Sequence, residues 1–543
     1  MREIATLQIG AYANFVGAHF WNFQDELLGL AADHEADPVF QRSGLDMDVL
    51  YRTGETRQGV ATYTPRLVAI DLRGSLGAVR SSGSLYDEGQ GVLHGTQLHT
   101  WTGPVSLHKE EPPEKSEFLK RLEAEEAGQQ SNATDETIVQ GLDERVQSWT
   151  DYSKVQLHPR SVYEIEGVWN TVTPFDSFCH GKGLFTQSFR LEEFQERFRF
   201  VVEECDHLQG VQALVDDSGG FSGVASDILT NFEDEYGGIP FMLFTVRPPE
   251  EEPRPVVRSL HDAFSFASLS SIGDIVVPLG LPQLSRSAFA RHLTIDDAKV
   301  FQTSAVYAGA LHNATLPFRM LASSTQAGGC DMGVLVKGLT YATRNVANLS
   351  AALPSGMSSV FKKDLREPLV FFLSVSLTPE VALASSQDYA AESYVIQGAR
   401  LAGSKGLATV TDVMKSINYE KQKFSSHVAC SPCPLPVPLP FPSIFRSSVG
   451  RYGDIILETS PSSATGRGAL DVFSVPVATS LRTDKGIEPY LRRRLSDIEQ
   501  LGLKRQSPVL QGWDLAREDV EELREVLANT LARYADETEF DSS

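Results

Sequence analysis

The chain has 543 residues, too many for one ordinary hydrophobic core, so two or three packed domains are expected. It is 41% hydrophobic and 22% charged, and 71 Asp and Glu against 48 Lys and Arg leave a net charge of −23. That acidity argues against generic binding to nucleic acid or anionic lipid, which depends on basic surface, and favours solubility and basic protein partners.

Arg2 and Glu3 lead straight into a strand, unlike a signal or transit peptide. Ile4–Ile9 is that strand, and after Gly10 the positions Tyr12, Phe15, Val16, His19, Phe20 and Phe23 follow helical spacing. A strand whose turn opens a helix is the usual start of a doubly wound domain. Leu67–Ile70 is a second strand, closed by Asp71-Leu72-Arg73-Gly74-Ser75. From about Ser82 to Val146 the pattern breaks, and its Glu-, Lys- and Pro-rich centre, Lys109–Ala127, predicts an acidic, partly disordered insertion.

Leu191, Phe194, Phe198, Val201 and Cys205 mark an amphipathic helix. Val211–Val215 is the next strand, and Asp216-Asp217-Ser218-Gly219-Gly220-Phe221-Ser222-Gly223 is a glycine-rich turn opening a helix through Phe232 and Tyr236. Such a turn is the layout by which α/β folds offer backbone N–H groups to a phosphate. Strand Phe241–Val246 completes a βαβ unit, and Glu250–Pro255 is a polar break.

The second half alternates short helical and strand-like runs. Pro432 to Pro442 places proline at every second residue, an extended strand or rigid connector without a P-x-x-P ligand motif. Asp514 is a candidate N-cap for a helix lined by Leu515, Val520, Leu523, Leu527, Leu531 and Tyr534, which runs to an acidic tail, Asp536–Asp541. The longest apolar runs, Ile239–Val246 and Leu369–Leu377, are strand-sized, so no transmembrane segment is expected. Cys179, Cys205, Cys330, Cys430 and Cys433 are few and scattered, and read as reduced thiols of a cytosolic or nuclear protein.

Four further motifs have weaker readings. Ser222 has Gly220 before it, as a hydrolase nucleophile elbow requires, but Val224 stands where the second glycine is needed. His427, Cys430 and Cys433 could supply three metal ligands, though the prolines around them favour ordinary structural residues. Arg492-Arg493-Arg494 reads as a solvated basic helix face that could dock an acidic partner. His158-Pro159-Arg160 reads as a turn.

Taken together these pieces resemble the tubulin superfamily. Met1-Arg2-Glu3-Ile4, Gln8, Gly10, Asn14 and Gly17 stand at its opening strand and first nucleotide loop, and Asp71-Leu72 at its second. Cys205 with Leu208-Gln209-Gly210 is similar to the step before its glycine loop, and Leu316-Pro317-Phe318-Arg319 to a strand start after its subunit-contact helix. Within that superfamily Asp48–Gly54, Tyr63-Thr64-Pro65-Arg66, Leu107–Glu111, Leu157–Ser161 and Asp217–Gly223 resemble the Misato family. The resemblance implies an α/β, tubulin-like fold. Its parts would be a doubly wound, mostly parallel nucleotide-binding-type domain over 1–255 and a connecting core helix region over 256–300. A second α+β domain over 301–495 and C-terminal helices with a short acidic tail over 496–543 would follow.

The same resemblance implies a role in mitochondrial distribution, morphology and inheritance. The protein would then be cytoplasmic and peripheral at the mitochondrial outer membrane, with protein partners there and possible contact with tubulin or microtubules. Gly10, Asp71, Gly219, Gly220, Ser222 and Gly223 stand at the nucleotide loops, where the ligand would be GTP or GDP. The loops depart from the tubulin pattern. A carboxylate such as Asp217 about 4 Å from a phosphate charge costs roughly 4 kcal/mol at an effective dielectric of about 20. That weakens binding about a thousandfold. Phe221 adds bulk, Ala11 replaces a polar amide, and Arg73 replaces an acid near the metal. Tyr307 and Ala310 fall where the contact helix of tubulins carries acidic groups that complete the neighbour's site, and Gln302–His312 holds no carboxylate. The expectation is a non-catalytic scaffold with no resident cofactor or metal. A GTP-binding switch and a tubulin-handling factor are the alternatives.

Overall fold

The computed structural model describes residues 2–55, 59, 61–78, 114–129, 133–167, 169, 174–186, 188–250, 255–322, 326–340, 343–355, 375–382, 391–399, 426–456, 466–503 and 517–534. The chain opens with β1 (Glu3–Ile9) and turns at Gly10 into α1 (Ala11–Ala32). A short α2 (Pro38–Gln41) and a hairpin of β2 (Tyr51–Glu55) and β3 (Ala61–Pro65) lead to β4 (Leu67–Leu72). Then come α3 (Glu117–Glu126), α4 (Asp135–Arg145), β5 (Val162–Ile165), α5 (Phe178–Gly181) and α6 (Ser188–Glu203). The first layer ends with β6 (Leu208–Asp216), α7 (Gly220–Tyr236), β7 (Phe241–Val246), α8 (Val256–Ser270) and β8 (Ile275–Leu279).

Six of these strands form one parallel sheet in the order β5-β4-β1-β6-β7-β8. All seven residues of β1 and all six of β7 are buried. Helices cover both faces of this sheet, so its central strands read as apolar runs rather than alternating ones. The chain enters α1 and α7 at the C-terminal ends of β1 and β6. Those two strands are neighbours, so the Gly10 turn and the glycine loop lie side by side.

The first sheet continues past residue 255, because β8 is its sixth strand and α8 packs beneath it. The connecting core helix therefore falls after 256–300, at α9 (Val300–Ala314). Every residue of α9 from Phe301 to Ala314 is buried. It is held to α1 by Tyr12 Oη donating to Thr303 Oγ1 at 3.0 Å and by His19 Nε2, 2.9 Å from the Phe301 carbonyl. Asn313 Nδ2 ties its other end to the second sheet, donating to Val395 O and Thr479 Oγ1 at 2.9 Å each.

Beyond α10 (Met332–Leu339), the second layer holds β9 (Asn348–Ala352), β10 (Val375–Ser376), β11 (Ala391–Gln397) and β12 (Ser426–Ser431). It continues with β13 (Leu435–Pro436), β14 (Ser474–Val475) and β15 (Val477–Thr483). Five of them make a mixed sheet, β10-β9-β15-β11-β12. The proline-rich run is extended and buried, with β13 paired to β14, as the alternating prolines predict. α11 (Glu488–Leu503) and α12 (Arg517–Ala532) return to the first layer, where Tyr490 meets Phe266 at 5.0 Å. The C-terminal helices thus begin at 488, ahead of the boundary at 496. Asp514 and the tail Asp536–Asp541 lie outside the described residues.

The expected insertion is in part ordered. α3 and α4 bury Phe118, Ile138 and Leu142 against Leu76, Trp149 and Tyr152. Few apolar residues suffice because they converge on one cluster. Residues 79–113 of that stretch lie outside the described residues. All five cysteines are free thiols, and among the described residues no helix is long and apolar enough to cross a membrane.

Candidate functional site

The first loop is shaped around a side chain of the protein itself. Gly10 has φ 121, and a Cβ there would lie 2.3 Å from Asp216 Cγ. Asp216, the last residue of β6, places its carboxylate on the N-terminus of α1. Its Oδ2 accepts from Tyr12 N–H at 3.1 Å and its Oδ1 from Ala13 N–H at 2.6 Å. Those N–H groups and the helix dipole are what a phosphate would use. Glycine at position 10 serves to admit this carboxylate.

Asp71 is buried beside it. Its Oδ2 accepts from Asn14 Nδ2 and Trp149 Nε1, each at 3.0 Å, and its Oδ1 from Leu72 N–H at 2.8 Å. Burial raises the pKa of Asp71 and raises that of Asp216 well above its usual range, although the N–H donors pull each back. The neighbouring Asp71 and Asp217 charges lift Asp216 further.

The glycine loop is occupied by chain. Gly219 has φ 72 and caps α7. Gly220 N–H donates to Phe175 O at 3.0 Å, and a Cβ on Gly220 would meet the Phe175 ring at 2.5 Å. Phe221 stands edge-on to that ring at 5.2 Å. A Cβ on Gly223 would meet Phe178 O at 2.2 Å and Lys182 N at 2.5 Å. The glycines are therefore needed for α5 to press against the first turn of α7. Ser222 Oγ donates to Gly219 O and pairs with Ser265 Oγ, both at 2.7 Å, and the residue is fully buried. Its proton is engaged and its oxygen enclosed, which removes the nucleophile-elbow reading.

Asp217 points away from the α1 terminus. Its Oδ1 accepts from Arg247 Nε at 2.7 Å, and Arg247 Nη1 donates to Asp262 Oδ2 at 2.6 Å. All three are within 2% of complete burial. Burial raises the pKa of Asp217 and the Arg247 charge opposes that rise. The obstruction expected of Asp217 thus falls to Asp216. Composition hid this, because two adjacent aspartates closing a strand look alike until the pleat sends them to opposite faces. Arg247, directly after an apolar strand, was the available signal for a buried partner.

Other predicted residues are redistributed. Ala11 is exposed at the mouth of the Gly10 turn. Arg73 lies at the surface, 3.3 Å from Glu166 Oε1, and among the described residues it makes no hydrogen bond to the loops. Tyr307 and Ala310 are on α9, inside the molecule, where Tyr307 Oη accepts from Leu281 N–H at 2.8 Å. They cannot face a neighbouring subunit, so the contact-helix assignment is wrong. Its cause was treating an apolar helix before Leu316-Pro317-Phe318-Arg319 as a surface element. The surface-facing helix after that motif, α10, exposes Val334 and Lys337 and contains no carboxylate.

His427 and Cys430 are three apart on β12 and so point to opposite faces. His427 Nε2 lies 2.7 Å from Gly328 O and its Nδ1 2.9 Å from Ser393 Oγ. Among the described residues no group of three or more His, Cys, Asp or Glu could hold a metal. Two arginines of the triple are paired at the surface and the third turns inward. Arg492 meets Glu488, Arg493 meets Glu380 at 2.7 Å, and Arg494 is buried with its guanidinium 4.5 Å over the Tyr490 ring. His158 Nδ1 accepts from Arg160 N–H at 3.1 Å, which makes the predicted turn.

A guanine nucleotide does not fit these loops as they stand. The α1 donors hold a carboxylate, and an aromatic ring lies on the glycine turn. To reach the Tyr12 and Ala13 N–H groups a phosphate would have to displace the Asp216 carboxyl group from them.

Comparison with known proteins places the chain. A family model described as the Misato Segment II tubulin-like domain matches residues 2–124, and a tubulin domain model matches residues 140–320. The chain is 30% identical to mouse protein misato homolog 1 over 96% of each chain, and 29% identical to the human protein over 98% of each. Protein DML1 of Gibberella zeae is 30% identical over 61% of this chain and 64% of its own. With its parallel sheet, buried central helix and returning C-terminal helices, the chain belongs to the Misato family of tubulin-like proteins.

Proposed function

We propose that the protein is a non-catalytic tubulin-like scaffold that regulates mitochondrial distribution, morphology and inheritance. It works from the cytoplasm and at the outer face of the mitochondrial outer membrane, through protein partners that include tubulin or microtubules. The observation that carries the non-catalytic part is the Asp216 carboxylate on the α1 N-terminus, 2.6 Å from Ala13 N. Its oxygens take the N–H donors that a nucleotide's phosphate would otherwise use. α10 itself carries no carboxylate, and the Asp331 carboxylate at its N-cap is paired with Arg2. The mitochondrial part is supported by family membership alone.

The test is nucleotide content. Purified protein is denatured and its supernatant chromatographed for guanine nucleotide. Substoichiometric traces are expected, and near-stoichiometric GTP or GDP overturns the scaffold reading. Co-sedimentation with microtubules tests the tubulin arm, and a protein left wholly in the supernatant counts against it.

A further inference from the structure

A strip of basic side chains crosses the β5 edge of this acidic molecule. At one end Arg52 Nη1 lies 2.7 Å from Glu204 Oε1, and Arg66 Nη1 donates to the Glu204 carbonyl at 2.9 Å. Beside them the Phe200 ring is stacked by His158 at 4.7 Å, and the exposed Arg160 guanidinium sits 4.7 Å over it. Arg197 carries the strip onward, its Nη1 donating to Pro159 O at 3.1 Å and Val162 O at 3.0 Å. The strip ends in a surface cavity of about 400 Å³ lined by Arg73, Arg190 and Arg197 together with Glu164, Glu166 and Glu193. Phe189, 53% exposed, forms its rim.

Six arginines therefore stand against four glutamates along this strip, whereas the whole chain carries −23. Screening limits electrostatic reach to about 8 Å at physiological ionic strength, so a ligand lying on the strip feels the local positive excess. The β5 edge is partly occupied by arginine side chains. Arg197 holds the Val162 carbonyl and Arg190 Nη2 the Glu166 carbonyl at 3.4 Å. What the surface offers instead is guanidinium groups, three of them over aromatic rings: Arg160 on Phe200, Arg190 on Phe189 and Arg197 on Tyr163.

We infer that this strip docks a short, extended, acidic peptide segment of a partner protein. Carboxylates of the peptide pair with Arg52, Arg160 and Arg73, and its backbone lies over Phe200 towards the cavity. Long nucleic acid is disfavoured because it would run from the strip onto acidic surface. The glycine loop plays no part, so nucleotide content and peptide binding are independent measurements.

The test uses the full chain and a fluorescein-labelled hexaglutamate peptide, followed by anisotropy. Saturable binding is expected, weakened about 10-fold or more by R52E/R160E. It should also weaken when KCl is raised from about 50 to about 300 mM. Circular dichroism confirms that the variant folds, and Arg73→Glu, a side chain 68% exposed, serves if it does not. Absence of saturable binding, equal affinity in the variants, or equally tight binding of a single-stranded RNA of the same charge overturns the assignment.

Discussion

Gly181 and Gly220 touch through their backbones: a Cβ built on Gly181 would lie 1.7 Å from the Gly220 carbonyl oxygen. The contact seats α5 on the first turn of α7 and closes the glycine loop from within. Gly181→Ala has no flexible neighbour to displace, since the opposing atom is backbone. A loss of about 1–3 kcal/mol is expected, the usual range for overpacking. Urea unfolding checks it, and an unchanged midpoint would show that the loop is looser than this packing requires.

Asp216→Ala should expose what the carboxylate now covers. Losing the cap on Tyr12 and Ala13 N–H destabilises the protein by about 1–2 kcal/mol. The same change frees those donors for an anion. Thermal melting of the variant should rise with added phosphate or GDP, while wild type stays flat. An equal shift in both proteins would mean that the anion binds elsewhere.

Arg247 Nε pairs with the Asp217 carboxylate at 2.7 Å, and its Nη1 also holds Asp262 at 2.6 Å. Arg247→Met leaves two buried carboxylates facing one another and should cost about 3–5 kcal/mol. Adding Asp217→Asn should recover part of the loss. A double-mutant cycle measures this, and strict additivity would refute the coupling.

His19 is enclosed between Tyr152 and Phe301, and burial lowers its pKa to about 3. In the unfolded chain it takes a proton below about pH 6.5, whereas the folded protein refuses that proton until about 3. Its contribution to stability is therefore lost as pH falls through this window, with a slope approaching 1.4 kcal/mol per unit. By pH 5 the loss from this residue is about 2 kcal/mol. His19→Phe also loses the Phe301 carbonyl contact, a penalty that does not vary with pH. The difference between wild-type and variant stabilities should narrow steadily below pH 6.5, and a constant difference would mean that His19 does not titrate as placed.

Several features were legible in order and type along the chain. The 3.6-residue spacing from Tyr12 to Phe23 and from Leu191 to Cys205 became α1 and α6, and the apolar runs Ile4–Ile9, Val211–Val215 and Phe241–Val246 became central strands. The helix of α9 was misassigned because sequence spacing distinguishes one-sided burial from exposure, but a helix buried all round has no polar stripe to orient it. Phe118, Ile138 and Leu142 were lost in a charged background, since three apolar residues announce a core only once they meet. Arg494 looked solvated beside Arg492 and Arg493 because adjacent helical positions are about 100° apart, and only packing decides which one turns inward.

The same division runs through the candidate site. Local sequence determined that Gly10 and the Gly219–Gly223 turn end neighbouring strands and open helices, because strand periodicity and glycine's backbone freedom act over a few residues. Tertiary structure alone decided what fills those turns. Asp216 and Asp217 differ by one step of the pleat, yet one caps α1 from 204 residues away along the chain and the other joins Arg247. Which charge meets which partner depends on strand register and helix packing, and these are set by contacts between residues that no local pattern brings together.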